Sequence, residues 1–209
     1  MAVSMTLYGN FFKALFNKEV DLDSDSLKVM LCTSSYTPDK DTHDYKNDVT
    51  NEVTGTGYSA GGAAIANPAF SYITANSWAT ARANSTAYTA GQIVRPASGN
   101  GYLYQAVTAG TTAGSIPTYP TTIGGTVVDG GVTWVCVGRG ALKFDGDDVA
   151  WAASTIAAAR YGIAYDDTPA TAATKPLIGY VDFGADVSTT NGTFSIPWSA
   201  DGIFVVVVA

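Results

Sequence analysis

Histidine, glutamate, cysteine and positive charge are all scarce in this chain, and each scarcity removes a class of chemistry. His43 is the only histidine, and Glu19 and Glu52 are the only glutamates. The two cysteines, Cys32 and Cys136, lie far apart and outside any CxxC pair. A zinc site draws three or four ligands from such residues at set spacings, and no such spacing occurs. A histidine-based triad needs a nucleophile in a recognisable setting, and there is no GxSxG. Two carboxylates can hydrolyse a glycoside. Both glutamates sit in ordinary polar surroundings, which leaves only a pairing among the abundant aspartates open.

Lysine and arginine number 11 against 18 aspartates and glutamates, a net charge of −7. Phosphate-driven binding needs a basic stripe, so no nucleic-acid partner is expected. The longest apolar run, Ile203–Ala209, is too short to span a bilayer. Residues 1–18 lack the basic start and unbroken apolar stretch of a signal peptide. No membrane partner and no cofactor are expected.

Two short motifs fail their own spacing. Asp21, Asp23 and Asp25 open like a calcium loop, but Ser26 stands where glycine is needed and Cys32 where the bidentate glutamate belongs. Gly55–Gly62 is glycine-rich without matching GxGxxG or preceding a Walker lysine. Its glycines read as a bend or a close chain approach.

What is present is β-forming. Leu7, Phe11, Ala14 and Leu15 recur at helical spacing over residues 4–18, with Phe12 and Phe16 widening the stripe and Ser4 or Thr6 as caps. Residues 27–33 read as a strand, 35–57 as a long polar loop, and 58–74 as strands broken near Asn67 and Pro68. Further strands are expected at 155–165, 176–183, 192–198 and 203–208. Turns are expected at 166–169, Asn191-Gly192 and Asp201-Gly202.

Between Asn76 and Gly138 the texture changes. Glutamate and lysine vanish, Asp129 is the only acid, and short aromatic runs alternate with glycine and proline. The expected organisation is a discontinuous host domain, 1–76 and 140–209, interrupted by an inserted module, 77–139. The fold class is mainly β: a β-sandwich or partly open barrel with a short N-terminal helix, carrying a small three-stranded β module. In the insert, Tyr88, Tyr102, Tyr104, Tyr119 and Trp134 are the candidate carbohydrate-binding residues, because flat aromatic rings stack on the C–H faces of sugars. A module this small also needs aromatics as core, and both roles are open for each ring.

Two resemblances sharpen these readings. Residues 27–39, 51–58 with Gly61 and Gly62, Trp151, 159–167, 177–184, 191–194 and 202–204 resemble a family of small virion structural proteins from tailed bacteriophages. The insert resembles small chitin-binding-type carbohydrate-binding modules. That match runs through Trp78, Tyr88 with Gly91 and Val94, Gly101 with Tyr104 and Ala106, Gly114 with Pro117, and Trp134. Gln92 replaces a common aspartate, and Thr108–Gly110 stands where the family usually has a Trp-Thr-x-Gly.

The resemblances imply a non-enzymatic capsid decoration (cement) protein located on the virion surface. Its expected partners are the major capsid protein and further copies of itself in a symmetric oligomer such as a trimer. The insert would face host-surface polysaccharide. A tail or baseplate component, including a receptor-binding adhesin, is the alternative, and a glycan hydrolase is the third reading.

Overall fold

β-Branched and aromatic residues, alternating with small ones, favour pleated backbone, and strands dominate the computed structural model, which describes residues 3–209. The first part of the chain holds β1 (Thr6–Leu7), α1 (Gly9–Phe16), β2 (Leu27–Thr33), β3 (Gly55–Thr56), β4 (Ala63–Ala64) and β5 (Ala69–Thr74). The middle holds β6 (Ala87–Tyr88), β7 (Ile93–Val94), β8 (Leu103–Ala106), β9 (Gly110–Thr111), β10 (Thr126–Asp129) and β11 (Val132–Gly138). Then come β12 (Gly140–Asp145), β13 (Val149–Asp166), β14 (Leu177–Ile196) and β15 (Phe204–Val208). Two compact units result. The first runs to Phe70 and resumes over Phe144–Phe204; the second comprises Ser71–Lys143 and Val205–Ala209.

The first unit is built on the antiparallel pair β13 and β14, 18 and 20 residues long, within a sheet ordered β1-β14-β13-β2-β4 with β3 added on β13. Strand β2 is buried without a break from Val29 to Cys32, as a short apolar run covered on both faces requires. Met30, Cys32, Ile163, Tyr165 and Leu177 close on Tyr8 and Tyr36. Each fully buried apolar side chain of this size contributes about 1.5–3 kcal/mol. Gly62 has φ +79°, and a Cβ there would stand 1.8 Å from the carbonyl oxygen of Val29. The close chain approach expected of the glycine-rich stretch occurs at this point.

Four local expectations are corrected. The helix is shorter than 4–18, because Thr6 and Leu7 pair with Tyr180 and Gly179 as a strand. Its N-cap is Tyr8, with no side-chain cap from Ser4 or Thr6. Phe16 does not widen a buried stripe: it is 83% exposed. Asn191-Gly192 is not a hairpin turn either, since β14 continues through it. Asn191 (φ 46°), Ala153 (φ 48°) and Ala158 (φ 53°) absorb extra residues where the β13–β14 register shifts. Asparagine's tolerance of positive φ serves a bulge as readily as a turn.

In the second unit the main sheet runs β10-β11-β8-β7, beside a β6–β9 ribbon. It has four strands where three were expected; β10 lies in a stretch of glycine and threonine that carries little periodic signal. Along β11, Val132, Trp134, Cys136 and Gly138 are buried while the residues between are half-buried, the period of two of a strand with one face on a core. A further sheet, β15-β12-β5, brings Val205 and Val207 against Trp78, Leu103 and Ala141. That packing carries the C-terminal strand into the second unit, and the breaks fall after Phe70 and Lys143, outside the expected 76 and 139. Both cysteines are buried free thiols.

Candidate functional site

The five aromatic candidates divide by burial. Trp134 and Tyr104 are fully buried and Tyr88 is 7% exposed; Tyr102 and Tyr119 are half-buried. Tyr88 meets Trp134 edge-on at 5.1 Å, and its hydroxyl accepts the amide of Ala83 at 2.9 Å. Tyr104 donates to the carbonyl of Pro120 and accepts from Asn100 Nδ2, each at 2.7 Å. Its ring lies 4.4 Å from that of Tyr119. Covered faces cannot stack on a sugar, so Trp134, Tyr104 and Tyr88 are core residues. Of the five, Tyr102 is the ring best placed to meet a ligand. Arg139 stands 4.8 Å from its centroid and donates to its hydroxyl at 2.6 Å, and Asn100 Oδ1 accepts its amide. This polar, one-ring arrangement is smaller than the platform expected.

The centre of the second unit is a pair that sequence reasoning passed over. Arg82 grips Asp129 in bidentate fashion, Nε to Oδ2 at 2.9 Å and Nη2 to Oδ1 at 2.7 Å. Both side chains are essentially inaccessible. Asp129 also accepts from Trp134 Nε1 and from the amide of Ala113, each at 2.9 Å. Arg82 spends its remaining donors on Asn84 and on the carbonyls of Ala113 and Ser115. Burial pushes the Asp129 carboxyl up, but Arg82 and Trp134 outweigh it and hold the group below the usual carboxylate range. Removing one partner of such a pair strands an uncompensated charge. The signal was available: Asp129 is the only acid between Asn76 and Gly138, and a lone acid among apolar strands needs a cation.

In the first unit, the long loop from 35 to 57 is pinned by side chains. The backbone amide of Asp39 and the hydroxyl of Tyr36 both point at His43 Nδ1, at 3.4 and 2.9 Å. An amide can only donate, so Nδ1 accepts and the histidine proton sits on Nε2. Tyr36 therefore donates to His43, and Tyr8 donates to Tyr36 at 3.0 Å. Burial pushes the Tyr36 phenol up to about 12. The chain ends at fully buried Tyr8, against the ring of Tyr180 at 5.5 Å. A relay that ends in the core holds a loop in place.

Both glutamates are likewise occupied. Glu52 accepts from Tyr58 at 2.7 Å and from the amide of Gly61, and Glu19 accepts from Tyr45 at 2.9 Å and from Asn17. Asp21, Asp23 and Asp25 form a turn in which the Asp25 carboxylate accepts the amide of Asp21 and the Asp21 carboxylate accepts the amide of Asp23. Among the described residues no group of three or more His, Cys, Asp or Glu side chains has the arrangement of a metal site, and no helix is long and apolar enough to cross a membrane. Comparison with family models, with curated proteins and with solved structures found no match.

Proposed function

We propose that the protein is a non-catalytic structural protein of the virion surface that decorates and stabilises a phage capsid, with a second unit that meets host-surface glycans weakly and in many copies. The observation that carries the reading is where the virion-like segments fall. Residues 27–33, 159–166 and 177–184 are β2, the end of β13 and the start of β14, adjacent strands of one sheet. The resemblance is thus to a scaffold and its loops, with no chemical motif in it. That sheet sits beside an ordered polar loop held by His43, Tyr36, Glu52 and Asn51, whose amide donates to the carbonyl of Ser35 at 3.1 Å. A pre-ordered loop loses little entropy on docking, which suits a protein whose work is burying surface between capsid subunits.

The test is addition of the purified protein to capsids that lack it. Saturable binding at high copy number, with raised resistance of the shell to heat, is expected. Recovery with tails at a handful of copies would move the assignment to the tail or baseplate reading. Release of sugars from polysaccharide by the purified chain would move it to the hydrolase reading. For the second unit, a glycan array probed with the full chain and its Tyr102→Ala and Tyr104→Ala variants separates ligand from core. Tyr102→Ala is expected to abolish binding in a folded protein, whereas Tyr104→Ala is expected to unfold the unit.

A further inference from the structure

The C-terminal end of α1 displays an apolar side chain that nothing in the first unit covers. Phe16, at 83%, is the most exposed large apolar residue described. Its near neighbours in the chain, Leu15 and Lys18, line an open groove of about 350 Å³, within the range of roughly 300–1,000 Å³ that accommodates organic groups. Buried Val20 and Leu22 line it together with Leu15 and Phe70, and Lys18, Asp21 and Asp23 supply its polar part.

Three features select a second copy of this chain as the occupant. Phe16 directly follows Leu15, a groove-lining residue, so two copies facing each other can fill both grooves at once, the self-complementarity of an isologous contact. The patch also carries both charges: Lys18 of one copy can meet Asp21 and Asp23 of the other, whereas a partner of one sign would repel part of it. Lastly, Lys18 holds a strained backbone. The amide of Glu19 returns to Ala14 O at 2.9 Å and that of Lys18 to Leu15 O at 3.2 Å, which closes the helix in a Schellman motif and puts Lys18 at φ 61°. Glycine is the usual residue there. A lysine places a cation at the groove in spite of the strain, and strain of this kind collects at sites that use it.

We propose that this face is a self-association surface, with Phe16 of one copy seated in the groove bounded by Leu15, Val20, Leu22 and Phe70 of a second, and Lys18 paired with Asp21 and Asp23 across the contact. This deepens the oligomer in the reading above and rests on it for nothing else. Sedimentation velocity of the full chain over a concentration series tests it. The unaltered chain is expected to associate. Phe16→Ser, a change at an exposed position, should weaken association by about tenfold or more. Lys18→Asp and Asp23→Lys should each weaken it by about fivefold, and an equimolar mixture of those two should recover it, because each then meets an opposite charge. The proposal fails if the unaltered chain is monomeric throughout, if Phe16→Ser associates undiminished, or if the mixture associates no better than its components. A monomeric chain that still coats capsids sinks this surface and spares the shell reading; association through Phe16 without coating does the reverse.

Discussion

The two units bury polar groups differently. In the first, what lies between the strands is mostly apolar. Its buried polar groups are tyrosine hydroxyls (Tyr8, Tyr36 and Tyr165, bonded to one another, to His43 or to the main chain) together with Ser154 and the carboxyl of Asp166, and no opposed charge pair is buried with them among the described residues. In the second, the organising element is a formal charge pair, Arg82 with Asp129, fixed by Trp134 and three backbone groups. Size explains the difference. A small β unit buries a lower fraction of its surface, and its short strands carry little register information of their own. A fully bonded ion pair is conformationally demanding, and it can hold Ala113, Ser115, Trp134 and Asn84 in one arrangement only. The first unit has no such device: β2 and the buried half of β13 pair over a continuous apolar stretch, which fixes their alignment.

The sharpest way to break this comparison is Asp129→Asn. Removing one partner of a buried pair costs about 3–5 kcal/mol, so hydrogen exchange should show the amides of 71–143 losing protection while those of β13 and β14 keep theirs. Equal loss in both units would refute the contrast. Next comes Ile163→Val, an apolar trim in the first unit, expected to cost about 0.5–1.5 kcal/mol in denaturant titration. A larger effect than that of Asp129→Asn would invert the ranking.

Acid sharpens it further. Burial, with Asp25 alongside, raises the Asp166 carboxyl above its usual value, and its Oδ2 has no hydrogen-bond partner among the described residues. A raised folded pKa means that ionised Asp166 penalises the fold at neutral pH, and that the penalty fades as pH falls through the folded value towards the unfolded one near ~3.9. Asp129 is shifted the other way: its contribution is full above ~3.9 and is lost only as pH drops through its lower folded value. Mild acid should therefore firm the first unit before stronger acid loosens the second. Asp166→Asn should stabilise the first unit by about 1 kcal/mol at neutral pH and abolish its gain in mild acid, as read by exchange at several pH values.

The smallest effect expected is that of Lys18→Gly, which relieves a left-handed lysine worth about 1 kcal/mol. It should raise the melting temperature of the first unit slightly while weakening self-association, a combination that a purely structural role for Lys18 would not produce.

Much of this was legible from residues alone. Strand β2 falls on the expected 27–33, and β11 could be read from the alternation of Val132, Trp134 and Cys136. Other features were not legible, for identifiable reasons. Asn191-Gly192 carries the same conformational signal in a bulge as in a turn, and only the pairing of Gly192 with Ser154 tells them apart. The C-terminal valines signal a strand without naming its partner. Among the aromatics, Tyr102 and Tyr104 are two residues apart and look alike; their neighbours, Arg139 for one and Pro120 with Tyr119 for the other, come from distant parts of the chain.

The scarcities that open the sequence and the predominance of β-structure followed from composition and local pattern, because those depend on each residue and its immediate neighbours. Which rings face inward, where Asp129 finds its cation, and why Phe16 is left in solvent were decided only by tertiary structure. Burial and charge pairing are properties of contacts between segments far apart in sequence, and a linear pattern does not carry them.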